Sequence, residues 1–137
     1  MKRTITALTL VISLAACSIE SAPLVASDVH IMRPIPGASA TAGYLSLTNT
    51  TGQPITITRV ASPQFASVEM HESAIEDGIS RMYPLAQVTV LPGQSVDFRR
   101  GGKHLMLRNP VHEFESVRLQ FHAGAALVLT VDAAVED

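Results

Sequence analysis

The chain has 137 residues, 47% of them hydrophobic, with 10 Lys and Arg against 12 Asp and Glu and a formal net charge of −2. That length suits one ordinary domain, and there is no basic stripe of the kind that binds nucleic acid. Cys17 is the only cysteine, so a disulfide framework within one chain is excluded, as are a thiol reductase and a blue-copper site, which needs a thiolate beside two His.

The chain opens with a secretory pattern. Lys2 and Arg3 form a basic start, Ile5 to Leu14 an apolar run, and Leu14-Ala15-Ala16-Cys17 a small-residue cleavage site. The run is too short for a membrane-spanning helix, which needs about 20 residues. The Leu-Ala-Ala-Cys order resembles a bacterial lipobox. That resemblance implies a lipidated Cys17 at the mature N-terminus, and Ser18 after it resembles residues that permit outer-membrane sorting. Ordinary cleavage near Ala16 or Ala22 is the alternative. The expected organisation is residues 1–17 as signal peptide, 18–27 as linker and 28–137 as the domain, placed in the periplasm and anchored to a membrane.

The domain reads as all-β. Ala42–Thr48, Ile55–Val60 and Val117–Phe121 alternate apolar and polar residues, whereas Leu127–Val131 is a more continuous apolar run. Turn signals fall at Thr51-Gly52-Gln53-Pro54, Asp77-Gly78, Pro92-Gly93 and Gly101-Gly102. Short strands at this spacing predict a sandwich or barrel.

Strand parity sorts the candidate metal ligands. Side chains alternate faces along a strand. In Ser67–Glu72, Val68 and Met70 share the apolar face and His71 points to the polar one. In Lys103–Leu107, Leu105 and Leu107 point inward, so His104 and Met106 project together, about 7 Å apart and bridgeable by one metal ion. Met82 lies on a turn or short strand and, taken alone, reads as a core methionine. His30-x-Met32 reads as a surface His and a core Met. His112 reads as a loop residue, and His122 as solvated or hydrogen-bonded. Arg99-Arg100 reads as a solvated turn or a docking patch for an acidic partner.

His71, Met82, His104 and Met106 together would offer two imidazoles and two thioethers, without thiolate or carboxylate. Thioether sulfur suits Cu(I), and Met is not among the usual zinc ligands. If the four converge, the metal is copper, as Cu(I).

The spacing His-x10-Met-x21-His-x-Met resembles the signature of the PCuAC family of periplasmic copper chaperones. Gly43-Tyr44-Leu45-Ser46-Leu47-Thr48-Asn49, Val68-Glu69-Met70-His71-Glu72 and Gly101-Gly102-Lys103-His104-Leu105-Met106-Leu107 extend the resemblance over roughly residues 28–133. One departure is Ile31-Met32-Arg33 where the family often has Trp-x-Arg. The resemblance implies a cupredoxin-like or Ig-like Greek-key β-sandwich. It also implies one Cu(I) per chain on His71, Met82, His104 and Met106, at an open, loop-borne position at one end of the sandwich. Delivery to an acceptor copper protein, such as the CuA centre of a haem-copper oxidase, would follow. The tail Asp132–Asp137 lacks the His and Met that some relatives use for a second copper site.

Three functions remain open on sequence: a copper chaperone, a copper-buffering or tolerance protein without a specific acceptor, and a structural β-sandwich lipoprotein. A monomer is expected. No enzyme is expected, because there is no nucleophile–base pair and no paired carboxylates, and four protein donors leave no open coordination position.

Overall fold

The computed structural model describes residues 22–137. The expected signal peptide and Cys17 lie outside the described residues. Eleven strands and no helix make up the described chain: β1 (Leu24–Met32), β2 (Ala40–Asn49), β3 (Ile55–Ile57), β4 (Arg59–Ala61), β5 (Phe65–Glu76), β6 (Ile79–Pro84), β7 (Val88–Val90), β8 (Ser95–Phe98), β9 (Lys103–Pro110), β10 (Ser116–Ala123) and β11 (Ala126–Glu136). The all-β expectation holds.

Pairing runs β1-β11-β10-β4-β5-β9-β2, and β2 pairs in turn with β1, so the sheet closes on itself. The result is a sandwich with a barrel-like ring of strands. β8 continues the edge of β2 beyond β9, β6 extends β5 as a hairpin, and β3 and β7 form a separate pair. The hairpin turn is Asp77-Gly78, both at positive φ (53° and 76°). That is the geometry a two-residue turn needs to match the twist of its strands.

The core follows from alternation. Leu45 and Leu47 on β2, Leu105 and Leu107 on β9, and Val117, Leu119 and Phe121 on β10 all point inward and are buried. Burying one such side chain stabilises the fold by about 1.5–3 kcal/mol. Gly43 sits between them on β2. A Cβ there would stand 3.0 Å from Ile31 Cδ1 and 3.2 Å from Leu107 Cδ1, so these two core side chains pack into the space that a side chain at position 43 would occupy.

Asn49 ends β2 and is fully buried. Its Nδ2 donates to Gln53 O (2.7 Å) and Val90 O (2.9 Å), and its Oδ1 accepts from Thr51 N and Oγ1. One side chain thereby closes the turn after β2 and ties it to β7.

Part of the segment expected as linker, residues 24–27, is strand. Leu24–Ser27 already pair with Asn49–Ser46, and Leu24 is fully buried. The apolar Leu24 finds a place in the core, which draws the chain into the sheet four residues before the expected boundary. A bulge follows between Ser27 and His30, with Asp28 at φ 51°.

Candidate metal site

The donors are assembled by strand register. β5 and β9 pair antiparallel with His71 opposite His104 and Glu69 opposite Met106. β5 and β6 pair with Ser73 opposite Met82. Met70 faces Leu105 and is core, so the odd-numbered residues of β5 take the outer face. Directly opposed residues share a face. His71, His104, Met106 and Met82 therefore all stand on the outer face of β9-β5-β6.

The two imidazoles are close, with ring centroids 5.8 Å apart, and both histidines are buried (7% and 6% exposed). His104 Nδ1 lies 3.1 Å from Gly102 O. A carbonyl only accepts, so Nδ1 carries the proton and Nε2 keeps a lone pair. His71 Nε2 lies 2.8 Å from Glu69 Oε2, which likewise places its proton on Nε2. The remaining His71 nitrogen, Nδ1, is buried with no hydrogen-bond partner among the described residues. Both rings thus donate one N–H to protein oxygen, and among the described residues the other nitrogen of each has no hydrogen-bond partner, the arrangement that orients metal-binding histidines.

Glu69 is the residue behind His71. The hydrogen bond from His71, with Arg108 adding to it, holds the Glu69 carboxyl below its ordinary range against the opposing effect of burial. Arg108 Nε stands 3.1 Å from Glu69 Oε1 as an ion pair, without the alignment of a hydrogen bond. Glu69 shares the outer face of β5 with His71, as alternation along the strand requires.

A cleft of about 370 Å³ opens beside the histidines, lined by Tyr44, Ser73, Met82, Arg100, His104 and Met106 among others. Three of the four expected ligands line it. His71 does not, and stands beside His104. Met82 is 48% exposed. Among the described residues no three His, Cys, Asp or Glu stand close enough together to hold a metal. The donors gathered on this face are instead two imidazoles and two thioethers, and thioether sulfur suits a soft metal.

Two expectations need correction. The donors do not sit on loops. They stand within β5, β6 and β9: His71, His104 and Met106 lie opposite the buried side of their strands, and Met82 lies on β6, which is exposed along its whole length. Met32 is not core either. Ile31 is the buried residue, and Met32, next along β1, takes the outer face, where its Sδ lies 3.7 Å from Arg100 Nη2. Arg100 also packs over the Tyr44 ring, 5.4 Å from its centroid, so it is more than a solvated turn residue. His112 is on a loop as expected. His122 Nδ1 is buried without a partner among the described residues.

This architecture is that of the PCuAC domains. The copper-bound PCuAC domain from PmoF2 superposes with a TM-score of 0.67 at 20% identity, covering 83% of this chain and 92% of that one. Apo-DR1885 from Deinococcus radiodurans gives 0.62 at 24% identity, covering 100% and 97%. CuI-DR1885 gives 0.54 at 25%, covering 90% and 83%. By sequence the chain belongs to the LpqE-like family, described as "Putative lipoprotein LpqE-like", which matches residues 24–135. Uncharacterized protein RP573 of Rickettsia prowazekii (strain Madrid E) is 27% identical over 73 residues, 53% of this chain and 40% of that protein. This chain thus spans well under half of that curated relative.

Proposed function

We propose that this protein is a copper chaperone of the periplasm. It holds one Cu(I) through His71, Met82, His104 and Met106 and passes the ion to an acceptor copper protein, such as the CuA centre of a haem-copper oxidase. The observation that carries this reading is the His71–His104 pair. Two imidazoles face each other across β5 and β9, each with one bare nitrogen, beside a cleft that two methionines line. The likeness to CuI-DR1885 supports copper as the ion. Cu(I) is cargo here. The half-exposed Met82 gives a partner's ligand a place to attack first.

Anaerobic Cu(I) titration with X-ray absorption tests the site. The expected result is one tightly held equivalent with nitrogen and sulfur neighbours. A spectrum without a sulfur shell near about 2.3 Å removes Met82 and Met106 from the set. Transfer to an apo CuA domain then separates a chaperone from a copper buffer. A chaperone loses its metal to the acceptor, whereas a buffer keeps it.

A further inference from the structure

A second His-x-Met pair lies on the same outer face. On β1, His30 pairs with Tyr44 of β2 and Ile31 with Gly43, while Ala42 of β2 pairs with Met106 of β9. His30 and Met32 are therefore two strands away from Met106, roughly 10 Å at the usual strand spacing. They line a second cleft, of about 530 Å³, whose wall includes Tyr44 and Arg100. Those two residues also line the first cleft, so the two clefts adjoin.

We propose that His30 and Met32 form a second Cu(I) site, next to the four-residue site and kept weaker than it by Arg100. The proposal rests on the copper reading given above. His30 Nδ1 lies 2.9 and 3.0 Å from the two carboxylate oxygens of Glu136. The pair fixes the proton on Nδ1 and leaves Nε2 with no partner among the described residues, the same bare-nitrogen arrangement as in His71 and His104. Met32 offers a thioether at i+2, the spacing of His104 and Met106. Asp28 and Glu136 on the cleft wall favour a cation. Opposing them, the Arg100 guanidinium lies at the Met32 sulfur and must withdraw before a metal ion can bind there. Arg100 thereby makes occupancy of this site conditional, and the ion has a nearby resting place on its way to or from the main site.

The test is anaerobic Cu(I) titration of protein carrying 13C-methyl methionine, followed by NMR. The first equivalent is expected to shift the Met82 and Met106 methyls, and a second, weaker one the Met32 methyl. The double variant His30→Ala, Met32→Leu is expected to lose the second equivalent and keep the first. Arg100→Gln is expected to tighten the second roughly fourfold or more, the effect of removing one unit charge a few Å away in a solvated setting. A Met32 methyl unmoved by excess Cu(I), or a double variant that still binds both equivalents, overturns this proposal. If Met32 shifts while Met82 and Met106 do not, the four-residue reading fails and the His30–Met32 site stands.

Discussion

His71 and His104 meet across two neighbouring strands, with ring centroids 5.8 Å apart, yet they are oriented by different oxygens. A carboxylate holds the first and a backbone carbonyl the second. The Gly102 carbonyl is part of the main chain, so substitution cannot remove it. The Glu69 carboxylate can be removed, which makes His71 the adjustable half of the pair.

Glu69→Leu should free the His71 ring and lower Cu(I) affinity by about 10- to 100-fold, the usual cost of losing such a partner. Glu69→Gln keeps an acceptor oxygen and should lose less. Competition with a chromophoric Cu(I) chelator reads both. Equal affinity in the Leu variant and the wild type would show that Glu69 does not set the ring.

The methionines should divide by face. Met106→Leu should abolish tight copper binding with little change in melting temperature. Met70→Ala should cost about 2–5 kcal/mol, because Met70 is 5% exposed and packs in the core. It should leave the stoichiometry of the remaining folded protein intact. Denaturant melts and metal titration on the same two variants check the division.

The division between Met70 and Met106 is legible in the sequence because the strand period is two. An apolar neighbour at i±1 declares which side a donor takes. The same rule applied to His30-Ile31-Met32 places Met32 outside, with Ile31 as the inward marker. The bulge at Asp28 obscures that rhythm, and a methionine alone reads as core. The Leu24–Ser27 segment was hidden for another reason. Its partner strand lies some twenty residues later, and no local pattern separates a short linker from a strand that finds its partner only in the folded chain. Register across strands, which sets His71 opposite His104, is likewise a property of the assembled sheet.

Asn49→Ala should destabilise the fold by about 2–4 kcal/mol. It strips the Gln53 and Val90 carbonyls of their donor and Thr51 of its acceptor in a buried setting. Chemical denaturation measures the loss. A change within about 0.5 kcal/mol, ordinary for a surface position, would mean that water replaces the side chain without cost.

Stability should fall on mild acidification, in part through His122. Burial, and secondarily Arg59, pulls this imidazole below its ordinary value of 6.5. The unfolded chain therefore takes up a proton at a pH where the folded one resists. The stabilisation is complete above about pH 6.5 and is lost as pH falls toward the folded value. His122→Asn should flatten the wild-type slope of unfolding free energy between about pH 7.5 and 5. Identical slopes would assign the acid sensitivity elsewhere.

Cys17→Ala should move the protein from the membrane to the soluble fraction without altering the copper affinity of the domain, if Cys17 carries lipid. A wild-type protein already soluble, with its mature N-terminus downstream of Cys17, would end the lipoprotein reading and leave the copper reading untouched.

β1 and β11 run side by side, with Ile31 beside Val135 and Met32 beside Glu136. The seam that closes the ring is thus sewn between the two most distant parts of the folded sequence. Loops of that length must be closed before the contacts that reward closure exist, and folds dominated by such pairings form slowly, in milliseconds to seconds. A partly emerged chain has no finished half to settle into. The wall that seats Glu136 beside His30 exists only once β11 is in place, so metal-binding competence at that cleft should arrive with the last strand.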